Sequence, residues 1–265
     1  MRHVTSVAGR ELRGLFVSPV AYAVLALFAV LAGVFFTLTT VAFNEGILRL
    51  QQFQAFDQLA QINLNDHLIG PFYDSMAFML MLLIPAITMG FFASEKTNGT
   101  DELLLTSPLT MWDVVLGKFL AGVVFVALLG LIVAAYPAIL FLYADQTAGG
   151  PELGKTVAGL LGVVLVGWTY AAIGIFASSL TRSQVVAFLL TLVLLVILII
   201  LPFVADMGVA GASEARELLR YLSTEPHLAE LRKGVLDSKD IVYFAVMIAA
   251  FLVMTKAAVE SVRWR

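Results

Sequence analysis

Residues 94–110 read Ser94-Glu95-Lys96-Thr97-Asn98-Gly99-Thr100-Asp101-Glu102-Leu103-Leu104-Leu105-Thr106-Ser107-Pro108-Leu109-Thr110, a short polar stretch that separates two long apolar runs. Three consecutive leucines stand near its centre, and a helical turn of that kind needs an apolar surface to rest on. A loop that only fixes the membrane topology does not need such a surface. The stretch therefore predicts a compact, rigid element that docks on another protein, with a simple topogenic loop as the alternative.

Signals that stop and start helices flank the leucines. Gly99 can end the incoming helix, and Thr100 can cap the turn that the leucines form. Pro108 disfavours helical geometry at the residue before it. The pattern Thr110-x-x-Asp113 is a capping box, which restarts a helix. The pattern predicts two helices joined by a short, well-defined connection.

The composition places the chain in a membrane. It is 60% hydrophobic and 13% charged, whereas a soluble domain carries roughly 25% charged residues. The apolar runs show no strand-like alternation, and a helix needs about 20 apolar residues to cross a bilayer. The sequence therefore predicts an all-α integral membrane protein of 265 residues. Its six spans are expected at about 19–43, 75–94, 111–143, 156–181, 183–205 and 240–260.

Basic residues in the short loops set the expected orientation. With both termini in the cytoplasm, the inner side carries the basic residues of the N-terminus, of the short loops and of the C-terminus. This predicts a multi-pass protein of the inner (cytoplasmic) membrane with external segments at 45–74, 145–155 and 206–239. The inner set is Arg2, Arg10, Arg13, Lys96, Lys118, Arg182, Lys256, Arg263 and Arg265.

Residues 2–17 form an amphipathic pattern ahead of the first span. Apolar residues fall near one helical face, and Arg2, Arg10 and Arg13 fall on the others. The pattern predicts an interfacial elbow helix, with a plain basic flank as the alternative. Ser18-Pro19 predicts an N-cap followed by proline at the first helical position. The run Gly14–Asn44 far exceeds the 7–15 or so apolar residues of a signal peptide, so an uncleaved first span is expected.

Two further segments leave alternatives open. The first external segment, 45–74, is either a helix on the membrane surface or a continuation of the first span. In the fourth span Gly167, Ala171, Gly174 and Ser178 recur on one face, which allows close helix packing. That packing is expected inside one subunit, with a seam between two subunits as the alternative.

Gly149-Gly150-Pro151-Glu152-Leu153-Gly154-Lys155-Thr156 matches the phosphate-binding pattern G-x-x-x-x-G-K-[ST] letter by letter. That chemistry requires a loop between a buried strand and a helix in a soluble domain. Here the match joins two membrane spans on the expected outer side. It is therefore interpreted as a glycine-rich turn, and no nucleotide site is expected in this chain.

Composition and spacing exclude other classes. A net charge of −3 argues against a nucleic-acid partner. The three histidines lie in separate segments without ligand spacing, so no metal site is expected. No charge lies deep in a span, which weakens an ion-coupled carrier. No constellation of residues indicates catalysis, so no catalytic site is expected.

The chain contains the motif Glu95-Lys96-x-x-Gly99-Thr100-x-Glu102-Leu103-Leu104-Leu105-Thr106-Ser107-Pro108, followed by Gly117-Lys118. This motif resembles the first cytoplasmic loop of type-2 ABC exporter permeases. The gliding-motility-associated branch of that family is the most similar. Arg10-Glu11-Leu12 with Ser18-Pro19 resembles the family's N-terminal elbow, and residues 234–244 resemble its entry into the sixth span.

This resemblance implies the type-2 ABC exporter transmembrane fold and a set of partners. These are a second permease copy or homologue and two cytoplasmic ABC ATPase subunits, which would hold the ATP and magnesium. The loop at 95–113 would be the coupling element seated on the ATPase, and this chain would not itself be an enzyme. The residues expected to serve that contact are Glu95, Gly99, Thr100, Glu102, Leu103, Leu104, Leu105, Pro108 and Asp113.

Three functions are compatible with this sequence. The first is the permease subunit of an ATP-driven exporter. The second is a device that transmits ATP-driven motion to an extracytoplasmic protein without transport. The third, the weakest, is a carrier that works without ATP.

Overall fold

The computed structural model describes residues 2–54, 62–100, 109–143, 150–207 and 213–263, and every regular element in these ranges is helical. The predicted all-α fold is confirmed, with six helices long and apolar enough to cross a membrane. The helices are α1 (Arg2–Val17), α2 (Pro19–Gln52), α3 (Gly70–Thr88, preceded by a π-helical turn Asn65–Ile69), α4 (Gly90–Thr97), α5 (Met111–Tyr143), α6 (Leu153–Leu180), α7 (Gln184–Asp206), α8 (Ser213–Leu222), α9 (Thr224–Arg232) and α10 (Ser238–Arg263).

The first two helices begin and end where the local signals place them. The elbow helix α1 covers Arg2–Val17, and the backbone N–H of Val20 donates to the Ser18 hydroxyl at 3.3 Å. Pro19 occupies the first turn of α2, where its missing N–H leaves no bond unmade. Helix α2 continues to Gln52, so its last turns take up the start of the segment 45–74 as a continuation of the first span.

The second span differs from its predicted range of 75–94. It runs over Asn65–Thr97, from the π-helical turn through α3 and α4. Its polar start falls in the segment 45–74, which was expected to be a surface helix or a continuation of the first span. Asn65 is buried instead within the second span, and its side chain donates to the Glu152 carbonyl at 3.2 Å and to the Thr156 hydroxyl at 3.0 Å. These partners satisfy the amide away from water, which lets the helix start ten residues earlier than its apolar run.

The second span and α6 form the centre of the bundle. In their most apolar stretches 67% and 72% of the residues are buried, against 17% in α2 and 22% in each of α7 and α10. Rings of Phe36, Phe72 and Tyr136 join α2, α3 and α5 in edge-to-face and tilted contacts. The peripheral helices therefore expose apolar side chains along their length, as lipid-facing helices do.

The two ends of the bundle have different structures. At the end called here the elbow end, α1 packs beside the last turn of α4 and the first turns of α5. At the far end, α8 and α9 connect α7 to α10 along the chain, and α9 packs against α6. His227 of α9 holds that unit together, because its two ring nitrogens lie 2.6 Å from a carboxylate oxygen of Asp240 and 3.0 Å from the carbonyl of Tyr221.

Candidate functional site

The connection between the second and third spans begins with a helix stop. Helix α4 ends at Thr97, and Gly99 has a φ of +69°, a conformation that side chains other than glycine rarely adopt. The backbone N–H of Thr100 then donates to the carbonyl of Glu95 at 3.0 Å, the bond that marks a Schellman motif. The Thr100 hydroxyl donates to the same carbonyl at 3.2 Å, so this side chain closes the helix before it.

The third span begins with a capping box. The Thr110 backbone N–H donates to a carboxylate oxygen of Asp113 at 3.1 Å, and the Asp113 N–H donates back to the Thr110 hydroxyl at 3.2 Å. The hydroxyl also donates to the same carboxylate at 2.6 Å. Two backbone donors at the start of α5 are therefore satisfied. The carboxylate of Asp113 thus caps its own helix, and its predicted contact with a partner ATPase stays a prediction.

The centre of the connection lies outside the described residues, which resume at Leu109. The predicted contact residues Glu102, Leu103, Leu104, Leu105 and Pro108 fall in that gap. They stay predictions.

Four charged side chains meet at the elbow end. Lys118 Nζ lies 3.0 Å from Glu11 Oε1 and 2.9 Å from Glu95 Oε1. Arg10 Nη2 lies 2.8 Å from the same oxygen of Glu11 and 3.1 Å from the same oxygen of Glu95. Each cation thus contacts both carboxylates. The four residues, called here the charge ring, balance two positive against two negative charges, and the hydrogen bond to Glu11 raises the pKa of Arg10 above its usual range.

Lys118 is the buried member of the charge ring. Its side chain is fully buried, while those of Glu11 and Glu95 are 14% and 17% exposed. Its third hydrogen bond goes to the carbonyl of Phe91 at 2.6 Å, so all three ammonium donors are used. The ammonium also lies 5.0 Å from the centre of the Phe92 ring. An ammonium held inside protein is stable only with partners of this kind.

The charge ring changes the expectation for Glu95. That residue was expected to contact a partner ATPase directly, but its carboxylate points into the bundle and pairs with Lys118 and Arg10. Its Oε2 is buried and has no hydrogen-bond partner. A direct contact would require this side chain to leave its pairs, so Glu95 supports the connection from inside.

A glycine next to Lys118 brings α1 against α5. A Cβ placed on Gly117 would lie 2.6 Å from the Val7 Cβ and 3.0 Å from the Val4 carbonyl oxygen. Any side chain at this position would push the elbow helix away. The pair Gly117-Lys118 therefore supplies both a close backbone approach and a charge to the same contact.

The end of α4 is also attached to the short connection between α6 and α7. The Lys96 ammonium donates to the carbonyl of Ser179, and the Thr97 hydroxyl donates to the carbonyl of Arg182. The turn that precedes the 98–110 connection is consequently held by α1, α5 and α6 together.

The small residues of α6 pack inside the subunit. A Cβ on Gly167 would lie 2.6 Å from Val126 of α5, and one on Gly174 would lie 2.1 Å from the Thr88 hydroxyl oxygen of α3. Ala171 is buried beside Gly122, 3.5 Å from where that glycine's Cβ would stand. These contacts use the face that a seam between two subunits would need.

Ser178 does more than save space. Its hydroxyl donates to the Met89 carbonyl at 2.8 Å, and it accepts from the backbone N–H groups of Phe92 and Ala93 at 3.0 Å each. Met89 is where α3 ends and α4 begins. The hydroxyl therefore bridges an interruption in the second span, a role that the small-residue spacing did not predict.

From Leu153 onward the phosphate-loop look-alike is the first turn of α6, so the predicted glycine-rich turn is helical there, and Gly149 lies outside the described residues. Lys155 Nζ lies 3.2 Å from Glu152 Oε1 and 3.9 Å from Asp66 Oδ2, so carboxylates already neutralise it. The Glu152 N–H donates to Asn65 at 2.7 Å. The hydrogen bond from Asn63, followed by that from Lys155, lowers the pKa of Glu152. This arrangement ties α6 to the second span and presents acidic groups where a phosphate would sit.

Sequence reasoning missed the charge ring, although each of its members stood in a segment already singled out. Arg10-Glu11, Glu95 and Gly117-Lys118 are three separate motif pieces, and the fold brings them together. The sequence signal that could have revealed the ring is the presence of opposite charges at the ends of apolar runs, namely Glu11, Glu95 and Lys118. Among the described residues, no group of three or more His, Asp or Glu side chains could hold a metal ion.

Comparisons with known proteins agree with this architecture. The family model described as "ABC-2 family transporter protein" matches residues 5–263, nearly the whole chain. A search of curated proteins gives no match. The chain therefore belongs to the ABC-2 transporter family and is a membrane permease subunit of an ATP-binding-cassette transporter, separate from the ATPase itself.

Proposed function

We propose that this permease is an exporter subunit whose coupling loop at 95–113, which contains the 98–110 connection, receives motion from a cytoplasmic ABC ATPase. The elbow end then faces the cytoplasm, and both termini lie on the cytoplasmic side of the inner (cytoplasmic) membrane. Two permease copies, or this chain and a homologue, form the pathway between them. ATP and magnesium are held by the partner, and this chain supplies the moving helices. Within the family, the loop motif favours the gliding-motility-associated branch.

One observation carries this proposal: both edges of the 98–110 connection are fixed to the bundle. The Schellman motif at Gly99 closes one edge, and the Thr110–Asp113 capping box opens the other. A push on a loosely attached loop would be absorbed by the loop. A push on this connection reaches α4 and α5 directly, because the backbone at both edges is hydrogen-bonded into those helices.

The proposed cycle follows from this attachment. ATP binding closes the two ATPase subunits and draws the two connections together. The shift of α4 and α5 then repositions the second and third spans, which contact α6 at the centre of the bundle. The free energy comes from the partner, and the permease converts it into a change of helix packing.

A pair of variants tests the contact. Leu104→Ala and Glu102→Lys should weaken ATPase co-purification, or leave hydrolysis running without transport, because a truncated interface anchor typically costs about 2 kcal/mol or more. Membrane insertion should be unchanged, as fluorescence size-exclusion of a tagged chain would show. The matched control is Glu225→Lys, an exposed side chain on α9 at the far end. Normal assembly and hydrolysis in both loop variants, with failure of the control, would place the motor elsewhere.

A second function, transmission of motion to an extracytoplasmic protein, is favoured by one observation. Helix α8 exposes Leu218 and Tyr221, with 60% and 52% of their surface accessible, beside charged Arg216 and Glu217. Such a mixed face suits a protein partner at the far end. Pull-down with the purified complex, with and without Leu218→Ser, separates the two functions: a partner lost in the variant supports transmission.

A further inference from the structure

We propose that Arg10, Glu11, Glu95 and Lys118 are positioning residues that make the elbow helix move as one body with the coupling connection. This inference rests on the proposed function, because it assigns the route by which motion entering at 98–110 reaches α1. The elbow helix is then part of the unit that moves with α4 and α5, and it does not lie independently on the membrane surface.

The geometry of the charge ring is the first argument. Its members come from α1, α4 and α5, and each of the two cations contacts both carboxylates within 3.1 Å. A shift of any one helix would therefore lengthen at least two ion pairs at once. Glu95 lies in the last turn of α4, and Lys118 lies two turns into α5, so both edges of the connection are attached to the ring.

The second argument is that stability alone does not account for the ring. A buried ion pair is often no more stabilising than apolar side chains of the same volume, whereas removal of one partner is strongly destabilising. Here the Glu95 Oε2 is buried without a partner, so the arrangement is not optimised for stability. What such pairs provide is a defined geometry, since a bonded charge has few alternative positions in a buried site.

The third argument is the neighbouring contact at Gly117. The Val7 side chain fills the space where a Cβ would stand, which fixes the spacing between α1 and α5. The ring, one residue further on, fixes their register along the helix axes. Together the two contacts remove both sliding and separation, the motions that would let α1 lag behind.

The test separates charge balance from connection. Lys118→Met leaves two carboxylates facing one arginine, and the double variant K118M/E95Q restores the balance as an Arg10–Glu11 pair. If the ring serves only stability, the double variant should recover both folding and function. If the ring positions α1, the double variant should recover folding but not the attachment of α1 to α4 and α5.

Two readouts follow the attachment. The chain contains no cysteine, so spin labels at Gly14→Cys and Leu116→Cys report the distance between α1 and α5 in nanodiscs. Gly14 is exposed, with open space where a side chain would project. We expect one narrow distance distribution in the otherwise unchanged chain and a broad one in K118M/E95Q. With the ATPase bound, the rate of permease-dependent ATP hydrolysis should fall about tenfold, within the usual range of site-to-site coupling.

Matched controls keep the outcome decisive. The exposed pair Arg220–Asp206 at the far end is replaced as R220Q/D206N, which should change neither readout. R10Q/E11Q removes both members on α1 and leaves the buried Lys118–Glu95 pair balanced, so it should fold even if the Lys118 variants do not, while still broadening the distribution. A narrow distribution and an unchanged rate of permease-dependent ATP hydrolysis in both K118M/E95Q and R10Q/E11Q would overturn the inference.

Failure of the proposed function gives a different result. If the 98–110 connection does not bind an ATPase, Leu104→Ala has no effect on co-purification, and yet the label distances in nanodiscs still respond to K118M/E95Q. If only the inference fails, Leu104→Ala weakens the complex, while the label distances are the same in K118M/E95Q as in the otherwise unchanged chain.

Discussion

The hydroxyl of Ser178 donates a hydrogen bond to the carbonyl of Met89, at 2.8 Å, across the contact between α6 and the second span. The same oxygen accepts from the N–H groups of Phe92 and Ala93. It therefore replaces part of the helical hydrogen bonding that is interrupted where α3 meets α4. A break in a span, which bare hydrocarbon does not tolerate, is satisfied here by a neighbouring helix.

Replacing Ser178 by alanine should destabilise the bundle. The variant leaves a carbonyl and two N–H groups without this partner, and an unsatisfied buried polar group costs about 1–3 kcal/mol. Thermal unfolding in detergent measures the loss. The control is Ser75→Ala, whose hydroxyl bonds to Pro71 of its own helix and which should unfold as the parent does. Equal midpoints for the two variants would contradict the bridging role.

A methyl group at Gly174 should separate α6 from α3. The added Cβ would lie 2.1 Å from the Thr88 hydroxyl oxygen, so one of the helices must move. Overpacking of this kind costs about 1–3 kcal/mol. Gly154→Ala serves as the control, because nothing lies within 4 Å of its Cβ position. Expression and melting temperature of the two alanine variants give the comparison, and a stable Gly174→Ala protein would argue against the close packing.

The proposed orientation is checked with single cysteines in this cysteine-free chain. Asn98→Cys and Arg182→Cys should resist an impermeant thiol reagent in intact cells and react after permeabilisation. Ala148→Cys and Glu225→Cys should react in intact cells. The expectation rests on the basic residues of the short loops. Labelling at position 98 from outside would reverse the whole topology.

Lys155→Ala should leave the ATPase activity of the assembled complex within about twofold, the range of a substitution outside a binding site. The physical reason is that this lysine pairs with Glu152 and Asp66 at the start of α6. Turnover by the purified complex, compared with its unsubstituted form, is the measurement. Nucleotide cross-linking to this chain that disappears in the variant would show that the phosphate-loop pattern is real.

Acid should loosen the far end. Hydrogen bonds from Asn63 and Lys155 lower the pKa of Glu152, so its contribution to stability is present above its unfolded pKa and is lost as pH falls through the folded one. Unfolding midpoints measured from neutral pH down into the carboxyl range should fall further for the native chain than for Glu152→Gln. Parallel curves would show that Glu152 is not linked to stability.

Local signals predicted the fold and the edges of the candidate site. Gly99 and the Thr110–Asp113 box act within a few residues, so their consequences can be read from the sequence alone. The early start of the second span could not be predicted, because the burial of Asn65 depends on Thr156, far along the chain. The role of Ser178 was hidden for the same reason, since its size is visible in the sequence and its hydrogen-bond partners are not.

The sharing of Lys118 between Glu11 and Glu95 has an evolutionary consequence. A mutation that removes one of these charges leaves the others mismatched in a buried place, and the first step away from this arrangement is therefore unfavourable. Descendants of this protein should keep positions 11, 95 and 118 unchanged together or replace them as a set. We therefore expect these three positions, which lie far apart in the sequence, to covary among related proteins.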